Sequence, residues 1–176
     1  NRVEYVVVPP LNYLMIEGKG GPGSRAFKDA IAALYPVAYT LKFRAKKGPL
    51  AIDYGVMPLE GMWWAEDMST FTSGDKDQWL WTLMIMQPDL ITAPLVEEAI
   101  AAVKHKINPS ALAQVSFASY DEGRCAQILH KGPFAHEGPT VERVHAFIAS
   151  SGLSKTKKHH EIYLGDFRRA APQNWK

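Results

Sequence analysis

Two residues near the end of the chain, Glu161 and Tyr163, have the side chains best suited to acid–base work on an organic molecule. A carboxylate can take a proton from water, and a phenol can donate a hydrogen bond to an oxygen on which charge develops. They stand in His159-His160-Glu161-Ile162-Tyr163-Leu164-Gly165-Asp166. This stretch reads as a strand, with Ile162 and Leu164 on one face and His159, Glu161 and Tyr163 on the other. The expectation is that Ile162 and Leu164 face a core. If solvent lies on the other side, Glu161 is an ordinary strand residue. If another element covers it, a carboxylate sits enclosed beside a phenol. Enclosing an unpaired carboxylate costs several kcal/mol or raises its pKa, so such a placement points to use.

Aromatic residues are the second group. They make up 11% of the chain, and five are Trp, more than one small core needs. Trp63 and Trp64 are adjacent, so on a strand at most one of them enters a given pocket; Trp79 and Trp81 share a face. Singly each reads as core packing. Together they suit a flat-walled slot for a planar aromatic ligand, with Met62, Met84 and Met86 as adaptable walls. Tyr35 and Tyr39, one helical turn apart, are candidates to aim hydroxyls into such a slot, and Phe134 to close one end.

Other chemistries find little footing. None of the six histidines shows metal-ligand spacing with a third ligand, so no metal and no cofactor is expected. No Gly-x-Ser-x-Gly elbow is present. Lys19-Gly20-Gly21-Pro22-Gly23 lacks the Gly-Lys-Ser/Thr ending of a phosphate-binding loop. Cys125, the single cysteine, excludes an internal disulfide and fits a reducing, cytoplasmic setting. A net charge of +2 gives no basis for nucleic-acid binding. No apolar run approaches the roughly 20 residues that span a bilayer, and no signal peptide is visible behind Asn1. The expected partner is a planar aromatic small molecule, bound by a monomer or weak dimer.

The elements that must position these residues follow from periodicity. With 176 residues, 47% hydrophobic and 22% charged, the chain suits one soluble globular domain over residues 1–176. Residues 3–8, 13–17, 51–56, 59–64, 79–86, 115–120, 124–130 and 159–166 read as strands. Residues 79–86 are apolar on both faces, so this strand and the 159–166 strand are expected deep in the sheets. Asp121-Glu122-Gly123 reads as a hairpin turn. Helical stripes follow Ser24, Thr92 and Thr140, each an N-cap candidate. Pro36 falls inside the first, predicting a kink or a two-part helix. Residues 66–77 and Lys155, Lys157 and Lys158 read as exposed connections.

The order strand, Lys-Gly-Gly-Pro, helix around Lys19 returns as strand, Lys-Gly-Pro, helix around Lys131. This predicts an α+β fold of duplicated strand–helix–strand–strand units with pseudo-two-fold symmetry, in halves near 1–90 and 91–176. Two such halves create a central cleft, a common place for a ligand.

Five stretches carry a resemblance: residues 13–20 (YLMIEGKG), 33–43 (ALYPVAYTLKF), 58–64 (PLEGMWW), 81–89 (WTLMIMQPD) and 159–164 (HHEIYL). Together they resemble the GyrI-like small-molecule-binding family, in its stand-alone branch of cyclopropanoid cyclopropyl hydrolases. The resemblance covers nearly the whole chain and implies the same duplicated fold and central cleft. It maps the family's ligand-binding carboxylate onto Glu161. In drug-sensing relatives that carboxylate meets cationic ligands. In the hydrolase branch it is tied to opening a strained cyclopropane in DNA-alkylating natural products, a route to genotoxin resistance. On this reading Glu161 activates water, Tyr163 or Tyr39 binds the developing oxyanion, and Tyr35, Trp63, Trp64, Trp81, Met84 and Phe134 hold the ligand. The alternative implied is a drug-sequestering module without turnover. The chain departs from the family at Pro36, where a Ser-like residue is expected, and relatives are expected to run further past Pro172.

Overall fold

The computed structural model describes residues 2–49, 51–67, 74–156 and 158–176. The elements are β1 (Glu4–Val8), β2 (Leu11–Lys19), α1 (Arg25–Lys47), β3 (Leu59–Trp64), β4 (Leu80–Gln87), α2 (Ala93–Val103), the single turn α3 (Pro109–Leu112), β5 (Ser116–Tyr120), β6 (Gly123–Gln127), α4 (Gly138–Ser150) and β7 (His159–Tyr163). This is a mixed α+β fold. Five antiparallel strands form one sheet in the order β5-β2-β4-β3-β7, and β1 and β6 form a second. Expectations on residues 68–73 and on Lys157 lie outside the described residues.

The two sheets are joined by one ribbon. β1 pairs with β6 and β2 pairs with β5 in a single register, from Glu4↔Gln127 to Val8↔Gly123 and on from Leu11↔Tyr120 to Met15↔Ser116. Between them Pro9 and Pro10 lie opposite Asp121 and Glu122. Proline offers no N–H to the ladder, so pairing breaks and the ribbon passes from one sheet to the other. The expected hairpin at Asp121-Glu122-Gly123 is therefore corrected: β5 and β6 do not pair with each other.

Alternation splits the large sheet into two faces. Leu14, Ile16, Leu59, Trp63, Leu83 and Ile85 lie under α1, in the main core with Phe27, Leu34 and Val37. The other face carries Tyr13, Met62 and Met84. β4 is central and covered on both faces, as its unbroken apolar sequence predicts.

α1 runs unbroken from Arg25 to Lys47 with Pro36 inside it, so of the two expected outcomes, a kink or a two-part helix, the division is corrected. The Ser24 hydroxyl caps its first turn by accepting from the Phe27 N–H. Ala33, Leu34, Val37 and Ala38, on either side of the proline, are fully buried, and that burial outweighs the lost backbone bond. The expected strand at 51–56 is also corrected. Asp53 is drawn to Lys42 and Lys46, and the Lys42 ammonium donates to the Tyr54 carbonyl, so the segment is tied back to α1 instead of joining a sheet. Ala51 begins it at a φ of 49°.

α4 starts earlier than its expected cap, with Glu137 at the N-cap and Thr140 inside the first turn. The strand–helix–strand order of β2–α1–β3 recurs in β6–α4–β7, but among the described residues only the first keeps its strands in one sheet and is followed by a third strand, β4, in that sheet. β7 sits at the sheet edge, paired only to β3, rather than deep inside.

Candidate functional site

The facing of β7 reverses one expectation. Ile162 and Leu164 are 47% and 57% exposed, whereas Tyr163 is buried and Glu161 half-buried. The register explains this. Leu59↔Tyr163, Gly61↔Glu161 and Trp63↔His159 pair across β3 and β7, so His159, Glu161 and Tyr163 share the face of Leu59 and Trp63, which is the main-core face. The enclosed side is the one that bears the chemistry.

On that face the polar groups form a chain. The Trp63 indole N–H donates to the Tyr163 hydroxyl oxygen at 3.0 Å, and that hydroxyl donates to Glu161 Oε2 at 2.7 Å. His159 Nε2 lies 3.1 Å from Glu161 Oε1. Both carboxylate oxygens are thus held, and each keeps a lone pair for a further donor. Gly61 makes room for the chain: a Cβ there would lie 3.0 Å from both the Trp63 indole nitrogen and the Tyr163 hydroxyl.

Burial, with the Glu161 charge and hydrogen bond beside it, pushes the Tyr163 phenol well above its ordinary value, so it stays protonated. Burial lowers the pKa of the His159 imidazole, but the hydrogen bond and charge of Glu161 and the charge of Glu137 outweigh it, and the net shift is upward.

Glu137 is the member that sequence reading missed. Burial, with the Glu161 carboxylate beside it and partial relief from His159, pushes its carboxyl up to about 7. A carboxyl at that value carries its proton for part of the time at neutral pH and can give it away. The available signal was its place three residues after Phe134, just before Gly138-Pro139 at a helix start. An acidic residue there reads first as a cap.

Aromatic rings close one end. Phe134 lies 5.7 Å from Tyr163 and 4.6 Å from Trp175, and Phe167 lies 5.4 Å from Tyr163. Two backbone bonds hold the C-terminal residues here: the Gly132 N–H donates to the Trp175 carbonyl and the Leu164 N–H to that of Lys176.

Of the paired tryptophans, Trp63 shares the face of Glu161, where it stacks on Phe27 at 5.6 Å. Trp64 faces the opposite side. A cavity of about 470 Å³ at this end of β3 and β7 is lined by Met62, Trp63, Trp64, Tyr120, Thr156, Lys158 and His159, and so reaches both. Tyr35 is half-buried against the core, with the Arg168 guanidinium 5.3 Å from its ring centre.

Three candidates are not brought to Glu161. Tyr39 is 46% exposed and lines a surface depression with Phe43 and Leu95, because a further turn of α1 carries it toward α2. Trp81 is 1% exposed beneath α1, edge-on to Phe27 and so tight over Gly18 that a Cβ there would overlap its ring. Met84 is buried on the opposite face with Tyr13 and Met62.

That opposite face holds a second polar group. His160 points there, with Nε2 3.0 Å from Glu60 Oε2 and Nδ1 2.9 Å from Glu122 Oε1. Burial lowers its pKa, but the two carboxylates prevail and set it at about 9. Among the described residues, no group of three His, Cys, Asp or Glu is placed to hold a metal ion, and no helix is long and apolar enough to cross a membrane.

A family model for the GyrI-like small molecule binding domain matches residues 2–176. An uncharacterised conserved protein from Listeria innocua is 37% identical, with a TM-score of 0.87 over 99% of this chain and 88% of its own. A hydrolase from Listeria innocua is 36% identical, with a TM-score of 0.87 over 99% of this chain and 87% of its own. The C-terminal domain of EcmrR shares the fold alone, at 10% identity and a TM-score of 0.58 over 99% of this chain and 91% of that domain. No curated protein matches.

Proposed function

We propose, for a chain that belongs to the GyrI-like small-molecule-binding domain family, that the cleft at Glu161 binds planar aromatic molecules and hydrolyses the cyclopropane of cyclopropanoid DNA-alkylating compounds. The observation that carries this reading is the pair Glu161 and Glu137. One carboxylate is held by Tyr163 and His159, and the other keeps a proton near neutral pH. A hydrolase at 36% identity over nearly the whole chain supports the reaction class.

The substrate is a flat aromatic with a cyclopropane conjugated to a dienone. Phe134 and Trp63 supply apolar walls. Water attacks the cyclopropane methylene carbon, and Glu161 takes its proton. The ring C–C bond breaks, and its electron pair passes through the dienone to the carbonyl oxygen. Glu137 gives that oxygen its proton, so a phenol leaves the cleft and one water has been added. Tyr163, whose proton is committed to Glu161, orients the carboxylate; Tyr39 takes no part. Relief of ring strain and gain of aromaticity drive the step, so modest electrostatic help suffices.

Glu161→Gln keeps the shape and removes the base. Product analysis with a cyclopropane-containing alkylator should show turnover down by about a hundredfold or more. Binding of a neutral planar ligand should stay within about tenfold, because stacking carries it. Full turnover in the Gln variant would exclude Glu161 as the base. A wild type that binds such compounds and never opens the ring would establish a sequestering module instead.

A further inference from the structure

The cavity beside the candidate site is already partly occupied by the protein's own charge. The Lys158 ammonium lies 3.1 Å from the centre of the Trp64 ring, over the face that a cationic ligand would use. Both residues line the cavity, with Met62, Tyr120 and Thr156. Glu17, on the Trp64 face of the sheet, is the carboxylate whose charge reaches Lys158. His159, the cavity's other ionisable base, is drawn toward its charged form by Glu161 and Glu137.

We infer that Lys158 is a specificity-determining residue: by holding the ring face of Trp64 with its own ammonium, it admits neutral planar ligands and turns away cationic ones. This rests on the proposed planar-aromatic reading, carried from the Glu161 cleft to the cavity that adjoins it through Trp63 and His159. The physical grounds are two. A ring face binds one cation at a time, so an incoming cation must displace Lys158 before it gains the same interaction. If it binds elsewhere in the cavity, it forgoes the ring face that would have stabilised it. A neutral ring needs neither displacement nor compensation and can take up the Lys158 ammonium on its own outer face. The lysine therefore acts as a competing element that sorts ligands by charge rather than by shape.

Acridine and N-methylacridinium test this, since they share a plane and nearly a size but only the second is permanently charged. Their affinities are to be measured at pH 8 by titration calorimetry on the full chain. The wild type should bind acridine about tenfold or more tightly over N-methylacridinium. Lys158→Met should erase or invert that preference, with most of the change a gain for the cation, and Lys158→Arg should keep it. In a Trp64→Leu background, Lys158→Met should no longer favour the cation.

An unchanged ratio in Lys158→Met, with both ligands still bound, would overturn the inference and leave the planar-ligand reading intact. A gain for the cation that persists in Trp64→Leu would overturn it too, by assigning the effect to overall charge. Failure of the wild type to bind either compound would overturn the planar-ligand reading and this inference with it.

Discussion

The proton balance around Glu161 gives the site its expected pH dependence. Glu137 is pushed up to about 7, first by burial and then by the Glu161 charge beside it. Its acid form dominates below that value and its carboxylate above. If Glu137 supplies the proton to the leaving phenolate, turnover should fall about tenfold per pH unit above 7. Glu137→Gln should remove that descending limb and leave a lower rate whose remaining pH dependence is that of the His159–Glu161 pair. A wild-type profile level through pH 8, or a Gln variant that keeps the limb, would take the acid role from Glu137. At this scale the sequence was half legible. Glu161 and Tyr163 stand together as their alternation requires, and Trp63 rather than Trp64 is on their face. Glu137 was hidden because its partner is 24 positions away and no local pattern records that distance.

Periodicity read the elements well where it is strong and failed where a partner decides. β4 is central because a strand apolar on both faces must be covered on both. β7 turns inward the face opposite to the one its hydropathy predicts, because Ile162 and Leu164 have core-type side chains and Glu161 does not. Pairing to β3 through Gly61↔Glu161, not hydropathy, fixed the register. Pro36 shows the same override in α1, where tertiary burial carries the helix through a residue that breaks isolated helices. That burial has not removed the local penalty. Pro36→Ala restores the missing N–H and relieves the clash with the preceding turn, where Ala33 and Leu34 are fully buried. It should raise stability by about 1–3 kcal/mol, seen as a Tm increase of several degrees in a melt. A lower Tm would mean that α1 needs the proline's geometry for its packing.

Across the whole molecule, the connections that tie the small sheet to the large one include the bent β1–β2/β5–β6 ribbon and the His160 cluster, which joins Glu122 at the bend to Glu60 on β3 and to β7. The ribbon's continuity could not be read from one strand at a time, since its register is a property of four segments. The cluster's contribution can be tested by pH. His160 has a folded-state pKa of about 9 against an ordinary 6.5, because Glu122 and Glu60 together outweigh its burial. A group whose pKa is raised on folding stabilises fully below the unfolded value, and that stabilisation is lost as pH rises through the folded value. The contribution should therefore be complete below about pH 6 and gone above about pH 10, with a span of up to about 3 kcal/mol. The raised Glu137 acts in the same direction but mostly between its ordinary 4.5 and about 7, while His159 and the buried phenols, also raised, add to the loss above pH 7, so the difference between wild type and a His160 variant, not the loss itself, reports His160. Tyr13, whose phenol is pushed up by burial and by the same two carboxylates, stays neutral in the folded protein across that range. Urea unfolding at pH 7 and pH 10 should show the wild type losing more stability than His160→Gln, which has no charge to lose. The Gln variant should be the less stable of the two at pH 7, because Glu60 and Glu122 then face each other without a cation. Equal losses in both proteins would mean that the imidazole is neutral between the carboxylates and that the cluster adds no charge-dependent tie between the two sheets.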